Sequence, residues 1–126
     1  MQTGRGYKVP NGAVFTTIDD LAKFVSFEMG AGPEGVLDAA TLEENFARSY
    51  PTGPSTGTRY GIGFMMLQHG RQTVIGHSGG VAGYMAGAYF DPAARIGIIY
   101  LRSSSTDQVI VEGPVFRSLS LLAEMP

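Results

Sequence analysis

The stretch Tyr84–Ser103, "YMAGAYFDPAARIGIIYLRS", decides how this chain folds. Two runs rich in aromatic and β-branched residues, "YMAGAYF" and "RIGIIYLRS", flank Asp91-Pro92-Ala93-Ala94. Aspartate at the first turn position and proline at the next favour a type I turn, so the runs read as an antiparallel hairpin. Just upstream, "YGIGFMMLQ" and "QTVIGHS" flank His69-Gly70-Arg71, a second short hairpin turn. Strands this closely joined, spread over residues 60–102, make an antiparallel meander; a parallel sheet would need long crossovers.

Toward the N-terminus the period changes to that of helices. Thr17 precedes "IDDLAKFVSFEM" with Asp20 three positions later, a capping-box arrangement worth about 1 kcal/mol. Ile18, Leu21, Ala22, Phe24, Val25 and Met29 fall at helical spacing and Gly30 stops the run, which predicts a helix over 18–29. Beyond a loop containing Gly32, Pro33 and Gly35, Asp38 can cap a second helix over 39–50, with Leu42 and Phe46 four apart. Both helices read as core-packing scaffold. Residues 1–13 read as an irregular lead-in, and the turn-rich "PTGPSTGTR" of residues 51–59 as a linker. Pro114 suits a first helical position, so the last helix is expected over 114–124, carrying Val115, Phe116, Leu119, Leu121 and Leu122. There is no internal repeat. The expected class is α+β: an antiparallel sheet of about four strands with helices packed on one face.

Composition narrows the function. With 126 residues the chain has room for about one domain and a real core. A net charge of −2 carries no basic excess, so a nucleic-acid partner is not expected. No apolar run approaches the ~20 residues of a membrane-spanning helix. The polar, Gly/Pro-punctuated "MQTGRGYKVPNG" is not a secretory signal, and the compartment stays open. There are no cysteines, which removes disulfides and thiol chemistry. His69 and His77 are the only imidazoles, so neither a metal centre nor another cofactor is expected. The 18 glycines, about twice the usual share, sit largely inside apolar runs, where glycine marks bulges or close backbone approach.

Within the strand region, Gly76-His77-Ser78-Gly79-Gly80 matches the G-x-S-x-G pattern of a nucleophile elbow. The rest of that mechanism is missing. A triad of that fold runs serine, then acid, then histidine, and no histidine follows Ser78. In an extended strand His77 points away from Ser78, and Gly79, Gly80 and Gly83 crowd the helix that should follow. Ser78 does not read as an attacking group.

Several segments together resemble the serine β-lactamase and penicillin-binding-protein-like hydrolases, in the class C-like branch with its esterases and D-aminopeptidases. They are Pro10 to Phe24 ("PNGAVFTTIDDLAKF"), Val36 to Leu42, Tyr60-Gly61-Ile62-Gly63-Phe64, His77-Ser78-Gly79-Gly80 with Gly83, Phe90-Asp91-Pro92, and Arg95 to Leu101. Their order and spacing cover roughly residues 9–104. The resemblance implies that His77-Ser78-Gly79 is the family's third motif, Lys-Thr-Gly or His-x-Gly, on the strand walling the active cleft. It makes His77 the polar group near substrate, Ser78 a hydroxyl for a substrate carboxylate or carbonyl, Gly79 the site of close ligand approach, and the Gly80 N–H half of the oxyanion hole.

The family's nucleophile, in Ser-x-x-Lys, has no counterpart: no serine here has a lysine three residues on, and Lys8 and Lys23 are the only lysines. Tyr-x-Asn or Ser-x-Asn is also absent, and where members often carry an asparagine after the last strand this chain reads Leu101-Arg102-Ser103-Ser104. The expectation is therefore one partial domain, residues 1–126, the C-terminal part of a hydrolase acting on a small-molecule amide, ester or β-lactam. Its catalytic set would be incomplete and the chain inactive alone. It would pair with the missing N-terminal half or with itself as a homodimer. The rival reading is a non-catalytic binding or interaction module on the same half-fold.

Overall fold

The computed structural model describes residues 12–53, 57–104 and 112–125. Lys8, Pro10, Asn11, the loop positions 54–56 and Ser105 lie outside the described residues. In chain order the elements are α1 (Ile18–Glu28), α2 (Ala39–Ala47), β1 (Tyr50–Pro51), β2 (Arg59–Tyr60), β3 (Met65–His69), β4 (Gln72–Val81), β5 (Tyr84–Asp91), β6 (Ile96–Arg102) and α3 (Glu112–Ala123). The strands form one antiparallel sheet in the order β1-β2-β3-β4-β5-β6, an uninterrupted meander. The class is α+β.

Local chemistry sets the element ends. The Asp20 amide donates to Thr17 Oγ1 at 3.2 Å and the Thr17 hydroxyl donates to Asp20 Oδ2 at 3.0 Å, which caps α1. Bonds from Lys23 and Thr17 hold the Asp20 carboxyl below its ordinary range. Asp38 Oδ1 accepts the Thr41 amide at 2.7 Å at the head of α2, which likewise lowers its pKa. Two-residue turns close the long hairpins. At Gly70-Arg71 only the first position has positive φ, the II′ pattern; at Ala82-Gly83 both do (52° and 86°), the I′ pattern. In the β5–β6 loop, Asp91 Oδ1 accepts the amides of Ala93 and Ala94 at 2.9 and 3.1 Å, fixing the turn that Asp91-Pro92 announces.

Three features differ from the expectation. Among the described residues the sheet has six strands rather than about four. The ends of the 51–59 segment pair with each other: β1 lies antiparallel to β2, and the Thr52 amide and hydroxyl both donate to the Thr58 carbonyl, at 3.0 and 3.1 Å, which is not what a linker would show. The run from Tyr60 breaks at Gly61–Phe64, where the Gly61 amide donates to the Phe64 carbonyl at 2.9 Å and Gly63 takes φ 80°. Third, helices cover both faces. Adjacent apolar residues such as Val74-Ile75, Tyr89-Phe90 and Ile98-Ile99 point to opposite sides of a strand, so each side needs its own cover.

One core contains Val25 of α1 with Met66, Ile75 and Phe90, and Phe46 of α2, Phe64 and Ile99 pack against it. Phe46 and Phe64 both lie edge-on to Phe90, at 5.8 and 6.1 Å between centroids. The other core joins Val115 and Leu119 of α3 to Val74 and Tyr89, with Met65, Ile98 and Phe116 around them. Ile18 and Phe24 remain largely exposed, whereas Glu28, on the sheet-facing side of α1, is buried. Burial raises the Glu28 carboxyl above its ordinary value, and its Oε2 has no hydrogen-bond partner among the described residues. Pro114 is the third residue of α3, still within the first turn, where a missing N–H is harmless.

Candidate functional site

The long strand β4 is flanked on both sides for only part of its length. Pairing with β3 ends at Met65↔Gly76, while pairing with β5 continues through Val81↔Tyr84. The Gly61–Phe64 turn carries the chain away at that point. Among the described residues His77–Val81 therefore has a strand partner on one side only, and the N–H and C=O groups facing away from β5 lie on an edge that no described strand pairs; at its far end a Cβ at Gly12 would lie 2.8 Å from Val81 Cγ2.

The glycines along β4 separate internal need from external space. A Cβ at Gly76 would lie 2.2 Å from the Ala88 carbonyl oxygen and 2.5 Å from Tyr89 Cδ1, so packing within the chain forbids any side chain there. At Gly79 a Cβ would meet nothing within 4 Å, and at Gly80 only ordinary contacts at 3.7 Å. Neither has the positive φ that favours glycine. Glycine weakens a strand interior, yet two stand together here with no cause among the described residues. What they leave is room above the open edge.

His77 and Ser78 project to opposite faces, as the period of two dictates. His77 is exposed, and its Nδ1 lies 2.6 Å from the Ser78 carbonyl oxygen. A carbonyl only accepts, so Nδ1 carries the proton in this contact. Tyr60 sets its ring edge-on against the imidazole at 5.7 Å. On the far face, the Ser78 hydroxyl donates to Glu112 Oε1 of α3 at 2.8 Å. Tyr100 donates to the same oxygen at 3.5 Å, and its hydroxyl is pushed up to about 12 by burial, with the Glu112 charge adding to the effect. No imidazole reaches Ser78, so the serine has a carboxylate neighbour but no triad.

A family model described as Beta-lactamase matches residues 1–113. The chain belongs to the β-lactamase family. No curated protein and no solved structure matches it. In this β-lactamase-family chain His77, Gly79 and Gly80 lie together on the part of β4 that no described strand pairs on the β3 side, and the Ser78 side chain turns to the α3 face. Among the described residues no group of three or more His, Cys, Asp or Glu side chains could hold a metal, and no helix is long and apolar enough to cross a membrane.

Sequence reasoning passed over Glu112, Tyr100 and Gly87. Glu112 lies 34 residues from Ser78, and a lone acid near a helix start has no signature beyond a favourable dipole. The ring contact of Tyr60 with His77 depends on the turn at Gly61–Phe64 and has no local signal in the sequence.

Proposed function

We propose that this chain supplies one wall of the acyl-transfer cleft of a β-lactamase-like serine hydrolase acting on an amide, ester or β-lactam. The observation that carries the reading is the Gly79-Gly80 pair on an open strand edge. An acyl substrate can lay its backbone along that edge, and the Gly80 N–H is suited to donate to the oxygen of its tetrahedral intermediate; one such donor is worth about 3 kcal/mol. His77 offers Nε2 to the substrate or to the leaving group. Ser78 contributes its main chain to the wall, its hydroxyl being held by Glu112. The attacking serine and its lysine come from a separate polypeptide segment, because no Ser-x-x-Lys spacing occurs in the 126 residues. That serine adds to the carbonyl, the amine or alcohol leaves with a proton, and water then releases the acid.

The missing segment would dock where apolar side chains are uncovered, at Val14 (85% exposed), Phe15 (80%), Ile18 and Phe24. Alone, the chain would self-associate through such surface as a homodimer, which light scattering tests: a monomer at micromolar concentration contradicts it. The second reading, a non-catalytic module, draws on the same open edge, which fits an extended peptide added as a strand. Mixing the chain with a separately expressed segment carrying Ser-x-x-Lys and Tyr-x-Asn distinguishes the two. Hydrolysis of nitrocefin or a p-nitrophenyl ester that requires both components supports the cleft wall. Peptide binding without hydrolysis in the mixture supports the module.

A further inference from the structure

The cleft strand is clamped from behind. Across three strands, Ser78, Gly87 and Tyr100 stand in one row on the α3 face, by the registers Ser78↔Gly87 and Gly87↔Tyr100. The middle position has to be glycine: a Cβ at Gly87 would lie 2.2 Å from Tyr100 Cε1 and 2.8 Å from its hydroxyl. The gap lets the Tyr100 ring lie across β5 so that its hydroxyl reaches the Glu112 carboxylate that Ser78 also reaches. The adjacent row repeats the device. Gly76 opposes Tyr89, whose ring fills the space a side chain at Gly76 would need, and whose fully buried hydroxyl stands near Ser78 and Glu112.

We infer that Glu112 is a positioning residue: through the Ser78 hydroxyl it fixes the main chain of residues 77–81, the part of β4 that lacks β3 as a neighbour. The location supports this. A strand segment that no described strand pairs on its second side has less to hold it there, and the charge-assisted Ser78–Glu112 bond behind it ties it to a helix anchored in the second core by Val115 and Leu119. This inference deepens the cleft-wall reading and rests on it for its purpose. Its test does not use catalysis, so the two fail separately.

The test is amide hydrogen exchange by NMR on the chain itself, comparing the wild type with Ser78→Ala, Glu112→Ala and Glu112→Gln. Both alanine variants are expected to accelerate exchange roughly tenfold at the protected amides within residues 77–81, consistent with loss of a bond to a charged group. Amides of Val74, Tyr89 and Ile98 should hold their rates. Glu112→Gln keeps an oxygen that can accept from Ser78, so it should restore protection to within about threefold of wild type. Uniform acceleration across the sheet in the alanine variants would overturn the inference, reducing Glu112 to general stability. Unchanged exchange at 77–81 would overturn it as well. If Glu112→Ala fails to fold, Ser78→Ala decides, since it removes the same bond without touching α3: acceleration confined to 77–81 supports the clamp, and wild-type rates there overturn it.

Discussion

Replacing Gly79 by alanine should strengthen the fold and damage the function. The added methyl meets nothing within 4 Å among the described residues, and the backbone there needs no glycine. Removing glycine from a strand narrows the unfolded ensemble, so urea unfolding should show a gain of about 0.5–1 kcal/mol. The same methyl stands where a substrate backbone would lie. Crowding a packed contact by one carbon costs about 1–3 kcal/mol, so kcat/KM in the reconstituted mixture should fall roughly 5- to 150-fold. Gly76→Ala is the control: its methyl would sit 2.2 Å from a backbone oxygen, and stability should drop by about 3 kcal/mol. A Gly79→Ala chain that is less stable than wild type, or that supports full hydrolysis in the mixture, would refute the argument that the space belongs to a ligand.

Two further predictions concern the scaffold. Ala82 holds φ 52° in the β4–β5 turn, so Ala82→Asn, giving the Asn-Gly pair that I′ turns prefer, should add about 0.5–1 kcal/mol and raise Tm by a few degrees; an unchanged Tm would count against the turn type. Burial holds the Glu28 carboxyl above its ordinary value of 4.5, so its proton is bound more tightly in the folded chain than in the unfolded one. Its contribution is therefore fully present below the ordinary value and is lost as pH rises through the raised one. Relative to wild type, Glu28→Gln should gain stability from acid to neutral pH; parallel stability–pH curves would contradict that.

The α+β class was legible because its signals are local. Thr17 and Asp20 sit at capping distance, and Asp91-Pro92 carries a turn in its own side-chain chemistry. The second covering layer was also written in the sequence, in pairs such as Tyr89-Phe90, since two consecutive apolar residues cannot share a face. Strands of two residues, such as Arg59–Tyr60, are too short for a period to show, which explains the undercount. At the site, the motif His77-Ser78-Gly79-Gly80 was visible through its resemblance to a family. Which part of β4 lacks β3 as a neighbour depends on where β3 ends, and that is decided by the Gly61–Phe64 turn. The Ser78–Glu112 bond joins elements with no local pattern to link them, and only the packing of α3 reveals it.

Reconstitution tests the central claim most directly. Mixed with a segment that carries Ser-x-x-Lys and Tyr-x-Asn, the chain should support hydrolysis of nitrocefin or a p-nitrophenyl ester that neither component shows alone, and the activity should survive Ser78→Ala at a reduced rate. Turnover by the chain alone that disappears with Ser78→Ala would contradict the account, because Ser78 would then be the nucleophile and residues 77–80 the centre of the reaction rather than its wall.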